Sequence, residues 1–579
     1  MSQKRAKDRA SGRRNFVLFL FFCLTVGLVV RAGYLQIYNY KFLREQGQAR
    51  QNRVIEIPAH RGAIVDRNGA PLAVSTPIDT VWAVPEEMEA GRQSWGQLAD
   101  ILDYEPQAFA ERIDAAKERG REFLYLRRQV QPDVSEQVSI LDVPGVSKMR
   151  EYARYYPARD AFSHVVGFTN VDGKGVEGLE LSYDSNWLNG EPGKRRVVRD
   201  LAKREIESLE VIRQASPGKD LQLSLDRRLQ YQAHIALDEA VRSNKAASGS
   251  LVVMDVKTGE ILAMTNAPAY NPNNANERTD SARKRNRAVI DQFEPGSTMK
   301  PFTIAAALES GKFKPDDIVY TSPGYYKLGR YEIRDSKDYG WLDLRGIIKK
   351  SSNVGVTKVA QQLDPEQMWS VYDRFGFGRP PGSEFPGEVA GMLNHSSLWH
   401  AVEQTTLSYG YGLAVSVMQL TRAYAAIANG GVMPQVSFIK REDAGRDRGV
   451  RVISKETASR VANMLESVVS SEGTGARAKV PGYRVAGKTG TSYKSHSGGY
   501  DEESYISLFA GFAPVSNPRL AMVVVLHDPS AGEHYGGQVA APVFAKVMGD
   551  ALRIFGVKPD DWGSLASQVV DTIELENAL

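Results

Sequence analysis

The chain opens on basic residues and turns abruptly apolar. Lys4, Arg5, Lys7, Arg9, Arg13 and Arg14 precede an unbroken apolar run from Phe16 to Val30. That run is shorter than the ~20 residues that cross a bilayer, but Leu35 and Ile37 carry it to that length. Arg31 then snorkels to the far interface, with Tyr34 and Tyr38 as belt aromatics. The basic flank keeps the N-terminus in the cytoplasm. The rival is a cleaved signal peptide with Val30 and Ala32 at the small-residue positions. The poor cleavage cue and the continuing apolar residues favour an uncleaved anchor. No second run of this length follows, so a single-pass protein is expected.

Beyond residue 38 the pattern becomes that of folded, water-facing protein. Ile57 to Gly69 reads as a strand entering an Asn68-Gly69 hairpin turn. Pro106 to Arg119 and Asp133 to Leu141 have helical spacing, and Gly120 suits a helix stop. Asp172 to Gly175 and Asn189 to Gly193 are turns. Val197 to Leu209 alternates charge as a solvated strand or helix does. Ser216-Pro217-Gly218-Lys219 marks a boundary. After it, Leu221 to Leu225 alternates as a strand and Arg227 to Arg242 runs as a helix. Ser250 to Asp255 and Glu260 to Met264 form a hairpin around Val256 to Gly259. Tyr505 to Phe512 and Leu520 to His527 are apolar strands. Phe302 to Ser310, Glu456 to Val469 and Val543 to Phe555 are helices. An α+β architecture follows: an antiparallel sheet with helices around it.

Length changes the picture by requiring more than one core: 579 residues exceed what one core holds. The expected segments are a basic tail (1–14), an anchor (15–37), a mixed unit (38–219), a larger unit (220–557) and an acidic tail (558–579). The net charge of +4 gives no support to nucleic-acid binding. The one cysteine, Cys23, lies in the apolar run, so neither an intramolecular disulfide nor a cysteine metal site is expected.

Three short motifs carry the chemistry: Ser297-Thr298-Met299-Lys300, Ser351-Ser352-Asn353 and Lys488-Thr489-Gly490-Thr491. Ser-x-x-Lys puts nucleophile and base on one helical face. A serine hydroxyl needs a base in contact, and lysine serves only when burial or a nearby cation lowers its pKa. Lys488 can supply that cation. Glu294-Pro295-Gly296 suits a loop ending at a helix N-terminus, where the Ser297 amide points outward. Ser351 can relay a proton and Asn353 can hold a substrate amide. Gly487 and Gly490 allow a close approach to the backbone, and the lysine and hydroxyls of the third motif suit a carboxylate. Two counterfeits occur. Ser281-Ala282-Arg283-Lys284 lies in a basic stretch and reads as surface. Lys257-Thr258-Gly259 reads as a tight turn. Order and context single out Ser297 and Lys488.

At these motifs the chain resembles the penicillin-binding transpeptidase and serine β-lactamase superfamily. Longer strings narrow the resemblance to division-type class B penicillin-binding proteins: Pro58 to Gly69, Phe293 to Pro301, Lys350 to Gly355, Tyr409 to Leu413 and Lys488 to Thr491. The resemblance implies a β-lactamase-like α+β transpeptidase domain on an N-terminal mixed pedestal, anchored in the inner membrane of a Gram-negative cell with its catalytic part in the periplasm. It implies no metal or cofactor. Its partners would be peptidoglycan stem-pentapeptide donor and acceptor, β-lactam antibiotics, and a SEDS-type glycosyltransferase with divisome proteins, met through pedestal residues such as Arg61 or Glu177.

By the same resemblance Ser297 attacks the penultimate D-Ala carbonyl, Lys300 takes its proton, Ser351 protonates the leaving D-Ala, and the amides of Ser297 and Thr491 hold the oxyanion. Thr489 and Thr491 bind the terminal carboxylate, and Tyr409 and Tyr535 form an aromatic wall. One departure stands out: Tyr493 replaces a basic residue expected after Ser492. The rivals are a D,D-carboxypeptidase, a β-lactamase-like hydrolase and a penicillin-binding scaffold or sensor. The hydrolase would need a Glu-x-x-Leu-Asn string, and Glu388 to Asn394 is two residues too long for it.

Overall fold

The structure is a computed structural model that describes residues 2–44, 52–199, 205–442, 449–496 and 499–564. The chain divides into two compact units, residues 1–60 with 190–218, and residues 61–189 with 219–579. Most of the expected acidic tail, residues 565–579, lies outside the described residues, as does 200–204 within the expected Val197–Leu209 element.

The first unit carries helix α1 (Ser2–Gly33), continued by a π-helical segment at Tyr34–Tyr38. Residues Arg14–Tyr38 are long and apolar enough to cross a membrane, by length and composition. Arg31 lies over the Tyr34 ring, 5.5 Å from its centroid. The unit also holds a three-stranded antiparallel sheet of β1 (Asn52–Ile57), β6 (Gly193–Arg199) and β7 (Glu205–Arg213), with β6 central. The charge-alternating element is therefore two strands.

In the second unit, β2 (Ile64–Val65) turns at Asn68-Gly69 into β3 (Pro71–Ala83). Asp66 Oδ1 accepts the amides of Asn68 and Ala70 at 2.8 Å, and Gly69 adopts φ +86°, which suits glycine. Strands β4 (Leu124–Val130) and β5 (Val146–Tyr155) pair with β3, while β2 pairs in parallel with β8 (Leu221–Gln222). Helices α2 (Pro106–Glu118) and α3 (Pro132–Leu141) cover a small core of Val81, Leu98, Phe109, Ile113 and Leu126.

Arg61 is buried rather than presented to a partner. Its Nε donates to Glu180 Oε2 at 2.8 Å and its Nη1 to Asp184 Oδ1 at 2.6 Å. Arg154 Nε donates to the other Glu180 oxygen at 2.7 Å. One core then runs from Ile64, Phe162 and Leu179 into Val252, Met254 and Phe302.

That larger core lies on a five-stranded antiparallel sheet in the order β10-β9-β15-β14-β13. The strands are β9 (Ser248–Asp255), β10 (Ile261–Ala267), β13 (Ala486–His496), β14 (Gly499–Ala513) and β15 (Leu520–His527). Alternation sends Val252, Val523 and Leu508 to one face, against α5 (Lys300–Glu309) and α8 (Val417–Ala428). Leu251, Val524 and Phe509 go to the other, under α4 (Arg227–Ser243) and α9 (Ala541–Ile554). Burial of both faces makes these strands read as unbroken apolar runs. Each such side chain contributes about 1.5–3 kcal/mol relative to exposure. β13, which carries the third motif, is an edge strand.

Candidate active site

Ser297 lies in a 3₁₀ turn, Gly296–Met299, that runs directly into α5 at Lys300. Pro301 occupies the first turn of α5, where a missing amide costs no hydrogen bond. The turn is fastened from three sides. Gly296 donates its amide to Gly410 O at 3.0 Å. Tyr424 donates its hydroxyl to Thr298 O at 2.9 Å. Ser492 on β13 donates to Glu294 O at 2.8 Å. Gly410 has φ +90°, and a Cβ there would lie 2.0 Å from Gly296 O.

The second motif joins two helices. Ser351 ends α6 (Leu344–Lys350) in the left-handed region, at φ 60°. Ser352 caps α7 (Asn353–Ala360), accepting the Gly355 amide at 2.8 Å. The sharp junction turns Ser351 and Asn353 to the same side, toward Lys300.

Lys300 is fully buried, and its Nζ has four close partners. It lies 2.8 Å from Ser297 Oγ, 2.7 Å from Ser351 O, 3.0 Å from Ser351 Oγ and 2.7 Å from Asn353 Oδ1. Ser351 O and Asn353 Oδ1 can only accept, so they take both protons of a neutral amine. Its lone pair is left for a hydroxyl proton. Burial lowers the Lys300 pKa to about 7, while the charge of Asp335 opposes the shift.

Lys488 is buried as well, and its Nζ lies 3.0 Å from Ser351 Oγ. Burial first, and the Lys300 charge second, hold its pKa well below the ordinary lysine value. The Ser351 hydroxyl thus bridges both amines. Burial, rather than the neighbouring cation anticipated from the motifs, is what lowers the Lys300 pKa.

The remaining third-motif residues line the same edge strand. Thr489 Oγ1 meets Thr474 Oγ1 at 2.8 Å, and Thr491 Oγ1 accepts the Gly536 amide at 3.1 Å. A Cβ at Gly490 would lie 2.6 Å from Leu508 Cδ2 and 3.0 Å from Pro295 O. The space it leaves admits the protein's own neighbours, including the loop before the nucleophile.

Tyr535 precedes Gly536 and is 59% exposed; its ring lies 4.4 Å from that of His534, which stacks on Tyr505 at 4.0 Å. Tyr493 continues this row, 5.4 Å from Tyr505, and the basic Lys494 turns instead to Asp528 at 2.7 Å. Tyr409 is half-buried beside Gly410 and meets Tyr411 edge-on at 5.9 Å.

The two counterfeits fall elsewhere in the fold. Ser281 is exposed on a four-residue helix and Lys284 faces Glu177 at 3.9 Å. Lys257 donates its amide to Asp255 Oδ1 at 2.9 Å within the β9–β10 turn. Glu388, the candidate water-activating residue, accepts the amides of Gly382 and Ser383 at 2.8 and 3.2 Å and is held in that loop.

Asp335 escaped the motif reading. It follows β12 (Tyr331–Arg334), which pairs with β11 (Tyr325–Leu328). Asp335 Oδ1 accepts the amides of Asn353 at 2.5 Å and Val354 at 3.0 Å, and Oδ2 accepts Ser352 Oγ at 2.5 Å. Asn353 Nδ2 donates to Arg334 O at 3.1 Å, which turns Oδ1 toward Lys300. An isolated aspartate 17 residues before Ser352 carries no local signal. Glu294, in the loop before Ser297, is anchored as well. It accepts from the Gly412 amide at 2.8 Å and the Tyr500 hydroxyl at 3.1 Å, and burial raises its pKa.

Known proteins with this arrangement are plain to find. The family model described as the penicillin-binding protein transpeptidase domain matches residues 249–549, and that of the penicillin-binding protein dimerisation domain matches residues 56–223. The probable peptidoglycan D,D-transpeptidase PenA of Neisseria meningitidis is 42% identical over 554 residues, covering 95% of this chain and 94% of that protein. The peptidoglycan D,D-transpeptidase FtsI of Escherichia coli is 40% identical over 569 residues, covering 96% and 95%. Among solved structures, penicillin-binding protein 3 from Mycobacterium tuberculosis, complexed with aztreonam, superposes with a TM-score of 0.67 at 29% identity, covering 88% of this chain and 98% of that one. With a buried lysine on the Ser297 hydroxyl and relatives aligned almost end to end, the chain belongs to the penicillin-binding protein transpeptidases.

Proposed function

We propose that the protein is a peptidoglycan D,D-transpeptidase that cross-links stem peptides through an acyl-enzyme on Ser297. The observation that carries this is the 2.8 Å contact between Ser297 Oγ and a fully buried Lys300 whose pKa is lowered to about 7. A base poised near neutrality, touching the hydroxyl it activates, is what serine acyl transfer requires.

The steps then assign themselves. Neutral Lys300 takes the Ser297 proton as Oγ bonds to the penultimate D-Ala carbonyl carbon. The peptide C–N bond breaks, and the terminal D-Ala leaves as an amine protonated through Ser351, which both lysines touch. The side-chain amine of a second stem peptide attacks the ester carbonyl, losing its proton to the same relay. Ser297 is freed with its proton restored. The amides of Ser297 and Thr491 hold the oxyanion, and Asn353 holds a substrate amide. Lys488, Thr489 and Thr491 receive the donor carboxylate, with Gly490 keeping the edge strand close to the nucleophile's loop. Tyr409 and Tyr535 flank the donor. A β-lactam enters as the donor does and remains on Ser297.

The same proposal assigns the catalytic domain (220–557) to the periplasm, with a pedestal (38–219) and an inner-membrane anchor (15–37), in septal wall synthesis. A SEDS-type glycosyltransferase and divisome proteins would meet the anchor and pedestal. Relatives named FtsI and PenA, and the basic flank of the anchor, support that placement.

Labelling with a fluorescent penicillin followed by intact-mass measurement tests the assignment. One adduct is expected on the wild type and none on Ser297→Ala. An adduct persisting on Ser297→Ala would overturn it.

A further inference from the structure

Residues 318–343 form two small antiparallel pairs of strands beside the second motif, and their surface is unusual. Ile318, Tyr320, Tyr325, Tyr331 and Trp341 are all exposed large apolar or aromatic side chains within this short stretch. Exposed apolar clusters are candidate binding surfaces. At its centre Tyr320 and Trp341 face each other across one strand pair, with ring centroids 4.7 Å apart; Trp341 is 68% exposed. Lys358 fixes the pair from the side. Its Nζ donates to Tyr320 O at 2.7 Å and lies 6.0 Å from the Tyr320 ring and 5.6 Å from that of Tyr326.

The pair is tied to the helix that carries the second motif. Lys358 stands five residues after Asn353 on α7, about 7.5 Å further along the helix axis. The neighbouring strand β12 ends in Arg334 and Asp335, which hold Asn353.

We propose that the Tyr320–Trp341 pair, with Lys358, is a binding site for the glycan strand that carries the stem peptides. The inference rests on the proposed function, because that substrate is a polymer of N-acylated sugars of which the Ser297 cleft engages only a peptide end. Sugar rings present C–H faces to aromatic rings, while their hydroxyl and amide oxygens accept from an ammonium. An exposed aromatic pair beside a lysine offers both. The strands of this pair are three residues long, so they offer a peptide few backbone hydrogen bonds along an edge. The platform would hold a chain whose peptides reach the cleft and so raise their local concentration there.

The test uses the full-length protein in detergent with purified peptidoglycan sacculi. Trp341→Ala and Tyr320→Ala are expected to weaken cosedimentation and to slow cross-linking of polymeric glycan, each by about fivefold or more. Acylation of Ser297 by penicillin and turnover of a small donor thioester are expected to stay within about twofold of wild type. Trp341→Phe, which keeps a ring, should retain most of the binding. Peptide-stripped glycan strands should displace the wild type from sacculi, and free stem peptides should not.

Undiminished sacculus binding and cross-linking by a Trp341→Ala protein that still acylates would overturn the proposal. So would competition by free peptides but not by stripped glycan. So would wild-type dimers in light scattering that Trp341→Ala dissolves, which would make the face an interface between copies. Should Trp341→Ala fail to acylate, Lys358→Gln repeats the comparison without removing a ring. A wild type that takes no penicillin adduct would instead overturn the proposed function.

Discussion

Lys300 Nζ and Asn353 Oδ1 meet at 2.7 Å, and the amide that turns Oδ1 toward the lysine is held at the far end by Arg334 O. Asn353 therefore orients Lys300. With Ser351 O it occupies both protons of neutral Lys300 and aims the lone pair at a hydroxyl.

Removing that lone pair should nearly abolish chemistry. Lys300→Met is expected to lower the second-order rate of penicillin acylation by about 10²–10⁴-fold, the usual worth of a positioned base. Stopped-flow fluorescence, with thermal melting to confirm the fold, checks this.

The pH profile follows from the lowered lysine. The active form is the neutral amine, so the acylation rate should rise with pH and level off above about 7. Below that it should fall about tenfold per pH unit. A limb near the ordinary lysine value would show that Lys300 is charged at neutral pH and is not the base.

Asp335→Asn should move both features of that profile. Losing the carboxylate loosens Ser352 and Asn353, so the plateau is expected to fall about 10–100-fold. The charge of Asp335 favours the ammonium form of Lys300, so its removal should shift the limb to lower pH. A fall in melting temperature with an unchanged profile would assign Asp335 to stability alone.

Gly410→Ala tests the support beneath the nucleophile. Its Cβ would fall 2.0 Å from Gly296 O at a backbone angle of φ +90°. A loss above about 2 kcal/mol is expected, read by denaturant unfolding together with slower Ser297 labelling.

Arg61→Ala leaves the buried Glu180 to Arg154 alone, so a loss of about 3 kcal/mol, the lower end for breaking a buried pair, is expected. Melting temperature and the fraction labelled by penicillin should fall together. Glu177→Ala, at a side chain 44% exposed, should leave both unchanged.

Much of the site was legible from local pattern. The helix over 300–309, the β9–β10 hairpin of the large sheet and the Asn68-Gly69 turn each follow from side-chain periodicity or turn chemistry within about twenty residues. Motif order identified Ser297, Lys300, Ser351 and Lys488, which the fold brings within hydrogen-bond reach of one another through shared partners. Ser352 hid because a cap and a site motif use the same letters. Asp335 and Arg61 hid because a charged residue in sequence does not reveal whether it is solvated or buried.

The sequence by itself determined the apolar helix, the element types and the residues able to perform acyl transfer, because periodicity and motif spacing are local properties. Only the tertiary structure decided how closely Lys300 meets the Ser297 hydroxyl, why its pKa falls, which carboxylate holds the second motif, and that Gly490 and Arg61 answer to packing. Each of those depends on desolvation and contacts between segments far apart in the chain, and no local pattern records them.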